Sequence, residues 1–197
     1  MKRQTIDEII NFVRSNIEPL EDVYGLGYRA SVHLADGTFL PCVIFRNSKP
    51  VVDLAIRRFD EERNDNRIYL EIVKAFVAGG NCINDYNIAS VEKSRYAFPL
   101  SILKQIQSET TMSWTGFVVK MKDGKYFAFG TTYLFEFFDM PDGYSVDDIE
   151  VIVNHSYVSE SGELRSHKVP FFDFPADYNR AIIYRERPYF DCFVDDL

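Results

Sequence analysis

Two stretches of the chain repeat one pattern. Residues 30–45 read ASVHLADGTFLPCVIF, and residues 117–132 read FVVKMKDGKYFAFGTT. In each, an alternating apolar run enters an Asp-Gly pair and a second run leaves it; Asp36-Gly37 and Asp123-Gly124 lie 87 positions apart. Asp-Gly between alternating runs is the strongest short hairpin signal, because a two-residue type I′ turn needs positive φ at both central positions. Two hairpins of this kind exclude a purely helical fold. With the helical patterns around them, they point to an α+β fold: antiparallel sheet or sheets with helices packed on one face, in two similar helix-plus-hairpin halves.

The helical signals precede or follow the hairpins. Thr5 and Glu8 have the spacing of a capping box, and Ile6, Ile9, Ile10, Val13 and Ile17 fall on one face behind it. Residues 48–62 form a second helical pattern, with Pro50 in the first turn and Val52, Ala55, Ile56 and Phe59 on a shared face. Residues 67–80 form a third, ending at Gly79. Pro99 opens a fourth, with Leu100, Leu103 and Ile106 apolar. Beyond the second hairpin the pattern turns to strand. The second return strand is expected to continue through residues 131–138, with a bulge at Gly130. Residues 149–158 and 163–172 flank a turn centred on Ser161, and residues 180–190 read as a last strand before a loose tail. The expectation is one compact domain, 1–197, with a soft boundary near 98 between a helix-rich half and a strand-rich, acidic half.

Charge limits the partners. The chain has 22 Lys/Arg against 30 Asp/Glu, a net of −8. Residues 1–98 hold 13 basic and 14 acidic side chains, while residues 99–197 hold 9 and 16. Phosphate backbones and anionic bilayers repel such a surface, so neither nucleic acid nor membrane is an expected partner. No run of residues is apolar enough to span a bilayer, and the amphipathic first helix is not a signal peptide, so a cytoplasmic location is expected. Three cysteines, Cys42, Cys82 and Cys192, are too few and too scattered for a disulfide framework or a thiolate metal cage.

No nucleophile elbow, zinc-protease helix, dinucleotide fingerprint or P-loop occurs. If the turn centres on Ser161, His155 faces His167 across a ladder, within reach of a shared relay or metal; a mononuclear site would want a third ligand, for which Asp173 is the one candidate, and neither metal nor other cofactor is expected. What stands out is an acidic, aromatic-rich segment. Glu136, Asp139, Asp142, Asp147 and Asp148 are interleaved with Tyr144, and on strand alternation Phe137 and Phe138 face opposite ways. Such a face suits a non-catalytic cytosolic binding protein that engages a basic protein partner, with the profile of an immunity-type inhibitor by analogy alone. The alternatives are an enzyme with a scattered polar site that includes His155 and His167, and a self-assembling structural component.

Overall fold

Each Asp-Gly pair sits at the tip of a hairpin, and each tip is built alike. The computed structural model describes residues 3–62, 81–168, 173–179 and 182–197. The helix expected at 67–80 lies outside them. In the first hairpin, β2 (Gly25–Leu34) pairs antiparallel with β3 (Phe39–Arg46); in the second, β6 (Thr115–Met121) pairs with β7 (Tyr126–Thr131). The turns are not type I′. Only the glycines have positive φ, +90° at Gly37 and +89° at Gly124. The Gly37 N–H donates to Leu34 O at 3.0 Å and that of Gly124 to Met121 O at 2.8 Å. Leu34 and Met121 in turn donate to Thr38 O and Lys125 O. This is a three-residue loop closed by a left-handed glycine, and the Asp carboxylate adds a bond to the N–H two residues on (Thr38, 2.9 Å; Lys125, 3.1 Å).

A Cβ at either glycine would meet nothing within 4 Å, so the backbone conformation alone sets the cost of substitution. Gly37→Val and Gly124→Val should each destabilise by about 1–3 kcal/mol, from a β-branched residue held at positive φ. Denaturant midpoints of the two variants check this, and an unshifted midpoint for either would show that its tip relaxes.

The chain folds as two compact units, Met1–Ser94 with Tyr189–Leu197, and Arg95–Pro188. In unit 1 the helix α1 (Ile6–Asn16) starts at the capping box, with Thr5 Oγ1 accepting from Glu8 N–H and the Glu8 carboxylate from Thr5 N–H. Ile9 and Val13 are buried against Ala30, Val32, Val43 and Phe45 of the first hairpin. The remaining strands of this sheet are β1 (Leu20–Asp22), β4 (Cys82–Ile83), β5 (Ile88–Lys93) and β12 (Phe190–Phe193). The order is β1-β2-β3-β12-β4, and β5 also pairs with β2. The helix α2 (Ser48–Glu62) follows β3. Its stripe of Val52, Ile56 and Phe59 is exposed among the described residues, and Leu54 is buried instead.

In unit 2 a short helix, α3 (Leu100–Leu103), precedes a sheet of order β11-β7-β6-β8, with β8 at Ile149–Asn154 and β11 at Ile183–Arg185. A two-stranded sheet of β9 (Ser156–Val158) and β10 (Leu164–Ser166) follows β8. The core is aromatic: Phe98, Phe117, Phe129 and Phe138 are buried with ring centroids 5.0–6.2 Å apart.

Several expectations need correction. The sheets are mixed rather than antiparallel, because β12 runs parallel to β3 and β4, and β11 parallel to β7. The single strand expected at 180–190 is two strands in two units, and residues 191–197 are no loose tail. Cys192 and Val194 are buried, Asn47 Nδ2 donates to Leu197 O at 3.0 Å, and Ser48 Oγ bonds Asp195 at 2.6 Å. The strand β7 ends at Thr131, so alternation does not govern 136–138, and Phe137 and Phe138 are both fully buried. Gly130 is no bulge: it pairs in register with Gly116. Because the last nine residues belong to unit 1, the charge asymmetry also changes. Unit 1 has 12 Lys/Arg against 17 Asp/Glu, and unit 2 has 10 against 13.

Candidate functional site

The acidic segment of unit 2 is tied to its own unit more than its composition suggests. Residues 141–148 run as a docked loop ending in a 3-10 turn, Val146–Asp148. Ser145 and Asp148 close a capping box, with the carboxylate accepting from Ser145 N at 2.7 Å and Oγ at 2.9 Å. These bonds hold the Asp148 carboxyl below its usual range. Tyr144 donates through its hydroxyl to Asp123 at 2.6 Å and accepts from Lys125 Nζ at 2.8 Å, and Lys122 Nζ reaches Asp147 O at 2.6 Å. The Tyr144 hydrogen bond, followed by that of Lys125 N–H, lowers Asp123. The loop is thus pinned to the tip of the second hairpin.

Of the six expected binding residues, three carboxylates are committed. Asp139 pairs with Arg187, Asp148 caps its own turn, and Glu136 accepts from Phe135 N at 2.9 Å. Asp142 and Asp147 are exposed, and neither side chain has an ion pair among the described residues. Tyr144 is half-buried between them. Sequence separation did bring Asp142, Tyr144 and Asp147 onto one loop. It could not show that Lys122 and Lys125, on the facing hairpin tip, would meet them.

The histidines do face one another: β9 and β10 pair in a register that continues to His167 N–H donating to His155 O at 2.7 Å. Their surroundings differ. His155 has φ of +49° at the corner between β8 and β9, with Nδ1 3.3 Å from Thr110 Oγ1. His167 is 7% exposed and its ring stacks among Tyr157 and Tyr178, at 4.8 and 5.6 Å. Burial, and then the neighbouring His155, lower the His167 pKa from 6.5 to about 4. Its ring is therefore neutral at pH 7 and packs as an aromatic. No group of three or more His, Cys, Asp or Glu among the described residues is placed to hold a metal ion.

This sets a pH dependence. The folded pKa lies below the unfolded one, so as pH falls the unfolded chain takes the proton first. Stability from this group is complete above pH 6.5 and is lost as pH falls towards 4. The loss is at most about 3–4 kcal/mol, at about 1.4 kcal/mol per tenfold change in proton affinity. His167→Phe should keep the packing and remove that part of the acid sensitivity. Urea titrations of both proteins at pH 7 and 4.5 test it; equal acid losses would show that carboxylates carry the whole effect.

Sequence reading missed two polar centres. In unit 1, Arg46 is 3% exposed and bonds Asp22 in a fork, at 3.0 and 2.7 Å, and Asp191 at 3.1 Å. Burial alone would lower the Arg46 pKa, but the bonds to Asp22 and the two negative charges outweigh it and raise it. Burial raises Asp191 in spite of Arg46. In unit 2, the Trp114 indole lies on Gly116 and Gly130, with the Arg185 guanidinium 4.7 Å from its ring. The signals were present, as an Arg ending an apolar strand and as glycines inside strands, but their partners are distant in sequence. The chain matches no protein-family model, no curated protein and no solved structure. No helix among the described residues is long and apolar enough to cross a membrane.

Proposed function

We propose that the protein is a non-catalytic binding protein that engages a basic protein partner, in the manner of an immunity-type inhibitor. The observation that carries this is the pinned loop of unit 2. It presents Asp142 and Asp147, exposed and without ion-pair partners among the described residues, on either side of a Tyr144 fixed by hydrogen bonds. A loop already ordered by its own bonds loses little entropy on binding, and unpaired carboxylates attract a cationic surface from a distance. Against the enzyme reading stands the packing of His167, a neutral ring among tyrosines.

The test is co-purification from the native cell, followed by association kinetics with the captured protein. The expected result is a stoichiometric basic protein whose association slows with salt and with Asp142→Lys and Asp147→Lys. Charges on an exposed loop are screened within about 10 Å at 0.1 M salt and about 3 Å at 1 M. An association rate indifferent to salt and to both reversals would reduce the loop to a solvated surface. Asp148 is unsuited to reversal, because its carboxylate caps the loop.

The two units also support a duplicated module, each laying its first helix on one face of its hairpin sheet. Residues Ala30, Val32 and Leu34 correspond to Phe117, Val119 and Met121 at an offset of 87, all inward. The third strand corresponds at an offset of 61. Ile88 pairs with Leu34 after a register shift, and Ile149 pairs with Met121 after the same shift. A 3-10 turn precedes both strands, and its last carbonyl accepts from the hairpin loop: Ala35 N–H to Asn87 O at 2.8 Å, Lys122 N–H to Asp148 O at 2.9 Å. In each unit, a later parallel strand adds to the return strand of the hairpin. Hairpins are common, but a shared bulge, a shared carbonyl contact and a shared parallel strand are a far more specific match.

A further inference from the structure

Unit 1 carries a groove where its first hairpin begins. It is an open groove of about 300 Å3, lined by Tyr24 in the turn between β1 and β2, by Leu26 and Tyr28 on β2, by Lys49 and Pro50 at the start of α2, and by Leu197. Leu26 and Tyr28 share one face of β2, and Tyr24 reaches the same groove from the turn before it, so the lining carries two phenol rings and an aliphatic side chain. Leu26 is 49% exposed there.

The rim is acidic. Glu21 is exposed and Asp22 partly so, just before Tyr24, and Asp195 and Asp196 are exposed just before Leu197. Of the cations nearby, Arg46 is paired with Asp22 and Asp191, Arg14 donates to Asp196 O at 2.6 Å, and Lys49 keeps its charge at the surface in an exposed pair with Asp53 at 3.3 Å. The fold itself uses one of these rings to hold a cation, with the Arg46 guanidinium 5.6 Å from the centre of Tyr24. Two tyrosines, an aliphatic floor and an acidic rim complement a long side chain with a positive head, whose methylenes lie on apolar surface while the charge meets aromatic faces and carboxylates.

We infer that the unit 1 groove is a binding site for an arginine or lysine side chain presented by a basic protein. It is separate from the loop of unit 2 and stands whether or not that loop binds. Lys49 is the one like charge on its lining, and removing it should strengthen the site.

The probe is a pentapeptide, Gly-Arg-Gly-Arg-Gly, measured by calorimetry against the same peptide with norleucine or glutamate in place of arginine. Binding is expected for the arginine peptide and not for the other two. Leu26→Lys, which puts a cation into the groove at a half-exposed position, should weaken it by about tenfold, and Lys49→Gln should tighten it about threefold. Asp142→Lys, in unit 2, should leave it unchanged, which separates the groove from the loop. Thermal melts establish that Leu26→Lys is folded; were it not, Lys49→Gln decides alone. Preference for the glutamate peptide, equal binding of norleucine and arginine, or an arginine affinity indifferent to the groove variants would each overturn the inference.

Discussion

Asp22→Ala is expected to destabilise unit 1 by about 3–5 kcal/mol, the cost of leaving a buried guanidinium without its main partner. Arg46 is nearly inaccessible, and Asp22 supplies two of its three carboxylate bonds. Its backbone position allows no escape, since it closes β3 and its own N–H and C=O belong to the ladder; Val194 N–H donates to Arg46 O at 2.9 Å. Asp191 cannot compensate, because burial already disfavours its charged form. The triple variant Asp22→Leu, Arg46→Met, Asp191→Leu should recover most of the loss, since apolar groups of similar volume carry no desolvation penalty. Denaturant midpoints of both test this. A single variant close to wild type would mean that water reaches Arg46. A triple variant no better than the single would mean that the triad sets the strand arrangement.

Gly130→Ala is expected to cost about 3–5 kcal/mol in unit 2, the range for losing the packing of a large buried aromatic. A Cβ there would lie 2.2 Å from Trp114 Cζ2 and 2.4 Å from Cη2, far inside contact. Neither group can yield: Gly130 is held between β6 and β11, and the indole is trapped by Gly116 beneath Nε1. The indole must leave, and with it the stacking of Arg185. Trp114 is the only tryptophan, so its fluorescence reports the event directly. The expected signature is a red-shifted emission together with the lower midpoint, and Trp114→Leu in the Gly130→Ala background should recover stability. An unshifted spectrum would show that the strand, not the ring, has moved.

What could be read in the sequence was local. The capping box at Thr5 and Glu8 involves four residues, and it forms with both bonds in place. The Asp-Gly tips are equally local, although the turn type was not, since a type I turn closed by a left-handed glycine and a type I′ turn draw on the same residues. Register around Ser161 followed from turn geometry alone and brought His155 to His167. Parallel pairing has no such signature. Nothing within Ile183–Arg185 or Phe190–Phe193 says that one joins β7 and the other β3, because the partners lie more than 50 residues away. The candidate site failed in the same way. Six acids within the fifteen residues 136–150 were visible, but the hairpin lysines that tie down their loop, and the Arg187 that pairs with Asp139, are tertiary neighbours.

The position of β12 has a consequence for assembly. It fills the middle of its sheet, between β3 and β4, yet the whole of unit 2 stands before it in the chain. Until it arrives, β3 has an open flank of unpaired amides and carbonyls, the kind of edge that recruits the wrong strand. Joining Arg46 to Phe193 closes a loop of well over a hundred residues, at an entropic cost of roughly 4 kcal/mol on the logarithmic scaling, unless unit 2 has already condensed and drawn the ends together. On the ribosome the inner module is therefore finished first, and the outer one waits on the last strand. The slowest folding step should be the docking of that strand, and a chain stalled before it would carry a native unit 2 beside a unit 1 whose sheet is still ready to pair with a neighbour.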